Sequence, residues 1–202
     1  GATDRFLREA RLAGSLRHPH IVTLYDVGSV GDRHFMTMDY VEGRTFTAWL
    51  EETRDLKREA KREGLARLRE ELAALALVAE AVAYAHKINV IHRDLKPSNI
   101  MINKEGAALV MDFGLASELR ESLTRVTHQT TSGTPAYMAP EQYVGLVKRE
   151  SDIYAMGICL YEMLTGKLPF MTGDLMQLKN NRSFREISAE LPWLPSGIDA
   201  II

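Results

Sequence analysis

The stretch His92-Arg93-Asp94-Leu95-Lys96-Pro97-Ser98-Asn99 carries the strongest signal in this 202-residue sequence. An aspartate, a lysine and an asparagine follow one another there at short offsets, behind a histidine and an arginine. A single aspartate or asparagine in a loop is usually a turn former. Five residue types at these offsets are expected by composition in roughly one of ten thousand sequences of this length. The stretch therefore predicts a reaction centre.

These residue types suit the transfer of a phosphoryl group. That reaction needs a group that accepts a hydroxyl proton, a cation that neutralises phosphate oxygens, and a scaffold that fixes both. Asp94 is placed to accept the proton, and Lys96 can contact the γ-phosphate as a point charge. Asn99 and Asp112, 13 residues later, offer oxygen ligands of the kind that Mg²⁺ prefers. No His/Cys cluster with zinc-type spacing competes with this interpretation.

Two further motifs follow in a fixed order. Asp112-Phe113-Gly114 comes first, and Ala139-Pro140-Glu141 closes a segment of about 30 residues. The set resembles the protein kinase superfamily, most closely the serine/threonine kinases known in bacteria as "eukaryotic-like". The resemblance covers essentially the whole chain and implies an α+β, two-lobed fold, with a remnant of the small lobe over residues 1–41 and the large lobe over 42–202. It also implies an enzyme that transfers the γ-phosphate of ATP, with Mg²⁺, to Ser or Thr of protein substrates.

The resemblance assigns nucleotide contacts to five positions. Glu9 would pair with the ATP-binding lysine, and Met38 would be the gatekeeper residue. The backbone of Asp39 and Val41 would meet the adenine edge, with Met101 beneath the ring. Taken alone, Glu9 is an ordinary helical acid, and a methionine on a strand is simply a core residue.

Substrate and scaffold positions are implied in the same way. Lys96-Pro97 and the segment 133–138 point to Ser/Thr specificity, with Thr134 hydrogen-bonded to Asp94 and Lys96. Asp152 would anchor the backbone of the catalytic loop. The regulatory hydrophobic spine is expected at Ala13, Leu24, His92 and Phe113. Gly114 and Glu141 are structural positions of the motifs 112–114 and 139–141.

Residues 116–132 are polar and rich in hydroxyl groups. Such a composition fits a flexible exposed loop, but the resemblance implies an activation loop. Phosphorylation of Thr127, Thr130 or Thr131 would then add a dianion that pairs with Arg93 and orders the segment.

The sequence departs from the family pattern in three places. It contains no Gly-x-Gly-x-x-Gly lid and no strand lysine of the Val-Ala-Ile-Lys type before Glu9, so we expect these 202 residues alone to have little or no activity. The arginine that usually pairs with Glu141 should lie beyond Ile202, which would leave Glu141 unpaired. The charged stretch 51–71 is about ten residues longer than is typical, and a solvated helix is favoured there over a docking insertion.

Local patterns predict the main elements. Residues 6–16 should form a helix and residues 21–27 and 34–41 a hairpin. A nearly all-apolar helix through 73–85 should be buried on most sides. Short strands are expected at 90–91, 100–102 and 108–111, followed by a helix over 152–164 that Ser151 caps and Gly166 ends.

Composition narrows the function classes. A net charge of −2 gives no hint of nucleic-acid binding. The single cysteine excludes an internal disulfide and fits a reducing compartment, and no apolar run reaches 18 residues. We expect a piece of a longer cytoplasmic or membrane-anchored protein that self-associates for autophosphorylation. The rival hypotheses are a pseudokinase scaffold and, less compatible with the segment 133–141, a small-molecule kinase of the same fold.

Overall fold

A computed structural model describes residues 12–30, 33–59, 61–113, 135–171, 173–194 and 196–200. Within these ranges, no helix is both long enough and apolar enough to cross a lipid bilayer. The site residues predicted from the sequence that fall outside these ranges are Glu9, Gly114, Thr127, Thr130, Thr131 and Thr134.

An antiparallel hairpin opens the described part of the chain. Strand β1 (Leu24–Val30) pairs with β2 (Arg33–Met38), so that Leu24 lies opposite Met38. The predicted hairpin is confirmed, although both strands begin or end a few residues from the expected positions. Of the predicted preceding helix over 6–16, residues 12–16 are described: residues 12–14 are helical, and the helix ends before residue 15.

A second sheet contains the strand that directly follows the motif 92–99. Strand β3 (Gly43–Thr45) pairs with β4 (Ile100–Asn103), which pairs with β5 (Ala108–Val110), all antiparallel. A β-carbon on Gly43 would lie 2.0 Å from the Ile102 carbonyl oxygen. Only glycine therefore allows this approach of β3 to β4.

Two consecutive helices follow the second sheet's first strand. Helix α1 spans Phe46–Glu59 and α2 spans Lys61–Lys87, so the charged stretch 51–71 is divided between them. The prediction that residues 73–85 are buried on most sides is wrong, because burial follows one stripe at helical spacing and small alanines occupy the exposed face. The buried residues of that stripe are Ala74, Leu75, Val78, Ala81, Val82 and Ala85.

Helix α3 (Arg149–Thr165) packs against α2 and contributes to the same core. Gly166 ends it, with a left-handed φ of 69°, as the sequence predicts. Cys159 lies in the middle of α3 with none of its surface exposed, and burial raises the pKa of its thiol. The short helices α4 (Leu175–Asn180) and α5 (Ile187–Glu190) complete the described elements, together with 3₁₀ turns at Pro97–Asn99, Pro140–Val144 and Ser196–Ala200.

Two local predictions are wrong. Residues 90–91 form no strand, because the Val90 N–H donates to the Ala85 carbonyl oxygen (3.0 Å) and so closes the end of α2. The N-cap of α3 is Lys148 and not Ser151. Ser151 lies inside the first turn, where its hydroxyl accepts a hydrogen bond from the Lys148 N–H (3.2 Å).

Candidate active site

The loop His92–Asn99 is folded around the side chain of Asn99. Pro97 begins the 3₁₀ turn, where a missing N–H costs nothing. The Asn99 amide nitrogen donates to the backbone oxygen of Asp94 (2.8 Å) and to its Oδ2 (3.1 Å). One buried asparagine thus fixes both the backbone and the carboxylate of Asp94.

The Asp94 carboxylate also contacts Lys96. The distance from Lys96 Nζ to Asp94 Oδ2 is 3.0 Å, and the two side chains are 13% and 15% exposed. Such shielding strengthens the electrostatic attraction relative to an exposed pair. The aspartate, lysine and asparagine singled out in the sequence therefore form one cluster with a fixed geometry.

Asp152 binds the backbone at the start of this loop. Its Oδ2 accepts from the His92 N–H (2.8 Å), and its Oδ1 accepts from the Arg93 N–H (2.9 Å). The ring nitrogen Nε2 of His86, at the end of α2, lies 2.7 Å from Oδ2. With 1% of its surface exposed, Asp152 joins α3, α2 and the loop through one carboxylate.

Backbone strain is concentrated at the site. Arg93 and Asp112 have φ values of 73° and 64°, a region that non-glycine residues rarely adopt. Such conformations persist where surrounding contacts hold them, and they cluster at functional sites. Two of the four described non-glycine residues with positive φ thus lie within the loop 92–99 or directly after Met111, which is bonded to Asn99.

His92 is a packing residue. Its Nε2 donates to the Met111 carbonyl oxygen (2.9 Å), and its ring lies 4.7 Å from that of Phe113. Complete burial lowers the pKa of His92, a shift that the nearby Asp152 carboxylate opposes. Phe113, Leu24 and Ala13 line one small cavity of about 20 Å³, so the predicted spine positions lie next to one another.

Asn99 and Asp112 suit a hard cation. The Met111 N–H donates to the Asn99 backbone oxygen (3.0 Å), which places Asp112 directly after the residue bonded to Asn99. Because the Asn99 amide nitrogen is directed to Asp94, its amide oxygen is the atom left for a ligand. An amide oxygen and a carboxylate are donors of the kind that fit Mg²⁺.

The predicted adenine-contacting backbone lies after β2. The Asp39 N–H donates to the Thr23 carbonyl oxygen (2.9 Å), while the Tyr25 hydroxyl donates to the Asp39 side chain. That hydrogen bond raises the pKa of Tyr25 and lowers that of Asp39. Within the described ranges, the Asp39 carbonyl and the Val41 N–H have no hydrogen-bond partner. Met38 lines the small cavity beside Phe113, and Met101 lies on β4.

Glu141 has a partner that sequence reasoning missed. The expected lack of an arginine partner stays a prediction, but the Ser151 hydroxyl donates to its Oε1 (2.7 Å). This bond joins the Ala139-Pro140-Glu141 motif to the first turn of α3.

Lys179 on α4 is a further unpredicted contact. It is 3% exposed, and its ammonium donates to the carbonyl oxygens of Pro135 (2.5 Å) and Met138 (2.6 Å). Burial lowers its pKa to about 8. His86, Gln142 and Lys179 all make contacts to residues more than 40 positions away, so no local pattern could have revealed them.

Comparisons with known proteins agree with this arrangement. The sequence profile of the protein kinase domain matches residues 1–195. The chain belongs to the protein kinase domain family. This confirms the resemblance carried by the three motifs, and with it the kinase-like α+β fold.

Relatives in bacteria are named serine/threonine-protein kinases. The chain is 39% identical to PrkC of Bacillus subtilis over 95% of its own length and 28% of that protein. It is 41% identical to PknB of Mycobacterium tuberculosis, covering 98% of the chain and 32% of that protein. A crystal structure of a double mutant of the Mycobacterium tuberculosis PknI kinase domain matches 99% of the chain and 68% of the solved one, with a TM-score of 0.73 and 27% identity. The chain thus spans about a third or less of the curated relatives' length.

Proposed function

We propose that the protein transfers the γ-phosphate of ATP to Ser or Thr hydroxyls of protein substrates. The observation that carries this proposal is the fixed cluster of Asp94, Lys96 and Asn99, with Lys96 Nζ 3.0 Å from Asp94 Oδ2 and Asn99 bonded to Asp94. The names of the bacterial relatives support the same activity.

Each residue has a distinct part in the proposed reaction. Asp94 orients the substrate hydroxyl and accepts its proton as the oxygen forms a bond to the γ-phosphorus and the bond to ADP breaks. Lys96 leaves its pairing with Asp94 to contact the transferring phosphate. Asn99 and Asp112 would hold Mg²⁺, which would supply positive charge to neutralise the phosphate oxygens. The backbone at Asp39 and Val41 binds the adenine edge, between Met38 and Met101.

The decisive experiment compares Asp94→Asn with the unchanged complete protein, using ATP labelled on its γ-phosphate. We expect labelled phosphoserine or phosphothreonine and a loss of about 10³-fold or more in Asp94→Asn, because the amide cannot accept the proton. Glu105→Gln, in the exposed turn between β4 and β5, is the matched control and should keep full activity. Nucleotide binding without transfer in the unchanged protein would instead support a pseudokinase scaffold.

Two narrower proposals depend on this activity. Residues 1–202 alone should transfer little phosphate, since they contain neither the glycine-rich lid nor the strand lysine. Robust phosphorylation of a generic substrate by these residues would contradict this. Thr127, Thr130 and Thr131 are the proposed phosphorylation sites that pair with Arg93, and active protein with all three unmodified in mass spectrometry would exclude that role.

A further inference from the structure

Gln142 joins two parts of the site through its side-chain amide. Its Oε1 accepts a hydrogen bond from the Ala139 N–H (2.9 Å), and its Nε2 donates to the Arg93 carbonyl oxygen (2.9 Å). A backbone N–H can only donate and a backbone carbonyl can only accept, so these partners fix the orientation of the amide. The contact spans 49 residues of sequence.

The Arg93 carbonyl has a direct geometric link to the proposed catalytic base. It belongs to the planar peptide group whose nitrogen is that of Asp94, so a hydrogen bond to this oxygen restrains the whole plane. Asp152 holds the other side of Arg93 through its N–H (2.9 Å). Two side chains thus hold the backbone at Arg93, whose φ of 73° would otherwise be unfavourable.

The other partner of the Gln142 side chain, Ala139, belongs to the segment Pro135–Ala139, which we call the substrate segment. Lys179 holds it through the carbonyl oxygens of Pro135 and Met138, and the Tyr137 hydroxyl donates to Glu162 on α3. Ala139 itself is fully buried. The substrate segment therefore has a defined position, which Gln142 relates to that of the catalytic loop.

We propose that Gln142 is a positioning residue that couples the substrate segment to the orientation of Asp94. The proposal rests on the function proposed above for Asp94. Displacement of the segment pulls on the Gln142 amide, rotates the Arg93–Asp94 peptide group and moves the carboxylate from the hydroxyl it serves. The adenine-contacting backbone at Asp39 and Val41 lies in a different part of the chain and is not linked to this contact.

The first test replaces the amide in the complete protein. Gln142→Met keeps the length of the side chain but cannot form either hydrogen bond. We expect kcat to fall about tenfold while the KM for ATP stays unchanged, because a small misplacement of a catalytic group lowers the rate without weakening nucleotide binding. An unchanged kcat in this variant would overturn the proposal.

The second test distinguishes the hydrogen bonds from simple packing. In Gln142→Glu, a protonated carboxyl group can still accept from Ala139 and donate to Arg93, whereas the ionised form cannot donate. The kcat of this variant relative to the unchanged protein should therefore rise about threefold or more from pH 8 to pH 6, given a glutamate pKa raised by the facing carbonyl. Gln142→Met should show no such recovery, and identical pH profiles for the two variants would contradict the proposal.

A matched control and an activity-independent measurement complete the design. Gln177 is an exposed glutamine on α4, and the same two substitutions there should leave kcat within about twofold. Hydrogen exchange should become faster in both the loop 92–99 and the segment 135–139 of Gln142→Met, in a protein that remains folded. Unchanged exchange would overturn the coupling. If exchange becomes faster in Gln142→Met but the unchanged protein transfers no phosphate, the coupling is upheld and the proposed function is rejected.

Discussion

Two buried charged residues, Asp152 and Lys179, hold the two parts of the site, the catalytic loop and the substrate segment, in different ways. Asp152 accepts hydrogen bonds from two backbone N–H groups of the catalytic loop and contacts the His86 ring. Lys179 donates to two carbonyl oxygens of the substrate segment, but it forms no ion pair with any acid in the described ranges. Three aromatic rings lie within 6.0 Å of its ammonium instead. The catalytic loop is thus fixed by a carboxylate surrounded by donors, and the substrate segment by a cation whose pKa is lowered to about 8.

The largest effect should come from removing the carboxylate. Asp152→Ala leaves the N–H groups of His92 and Arg93 and the ring of His86 without their acceptor in a buried position. We expect the free energy of unfolding to fall by about 3–5 kcal/mol, measured by denaturant unfolding.

A control on the hairpin sharpens this comparison. Among the described residues, the exposed Asp26 carboxylate accepts a hydrogen bond only from the N–H of the next residue, Val27. Asp26→Ala should therefore cost about 0.5 kcal/mol or less. Equal losses in the two variants would mean that the contacts of Asp152 do not stabilise the loop.

The second prediction concerns the dependence of stability on pH. Because the pKa of Lys179 is lowered from 10.5 to about 8 by burial, the unfolded chain binds more protons between those two values. The free energy of unfolding should therefore rise with pH from about 8 to 10.5, by about 1–2 kcal/mol relative to Lys179→Met. Below pH 8 the difference between the two proteins should be constant.

The matched variant for this test is Lys179→Arg, whose guanidinium stays charged over the whole range. Its stability relative to Lys179→Met should not change between pH 8 and 10.5 through the residue at position 179. If the difference in the free energy of unfolding between the unchanged protein and Lys179→Met is also constant from pH 8 to 10.5, Lys179 does not titrate in that range.

The smallest expected effect tests the contact between Glu141 and the first turn of α3. Ser151 is buried and donates to Glu141 (2.7 Å), so Ser151→Ala removes one hydrogen bond to a carboxylate. The free energy of unfolding should fall by about 1–2 kcal/mol. Ser183, whose side chain is exposed, is the control, and Ser183→Ala should change stability by less than about 0.5 kcal/mol. A neutral result for Ser151→Ala would mean that the bond to Glu141 does not stabilise the fold.

The sequence was most informative where the chemistry is local. The offsets within His92–Asn99 predict a compact cluster, and the structure brings Asp94, Lys96 and Asn99 into contact. The hairpin and the end of α3 at Gly166 were also predicted, because turn residues and a glycine at the C-terminus of a helix can be recognised in the local sequence.

Contacts between distant segments could not be predicted. A serine before a helical pattern suggests a cap, and only the tertiary structure shows that Ser151 instead lies in the first turn and binds Glu141. Residues 90–91 have the β-branched character of a strand, yet a hydrogen bond back to Ala85 determines their conformation. Lys179 lies on the six-residue helix α4, which mixes apolar and polar residues, and this local pattern does not indicate that its ammonium is buried.

The single cysteine can report when helix α3 separates from the core. Cys159 is fully buried in α3, and its thiol has a raised pKa, so a thiol-specific reagent can reach it only when α3 separates from the core. With one such group among the 202 residues, the time course of chemical labelling follows a single event. The rate of modification therefore reports how often the helix that carries Asp152 exposes its inner face.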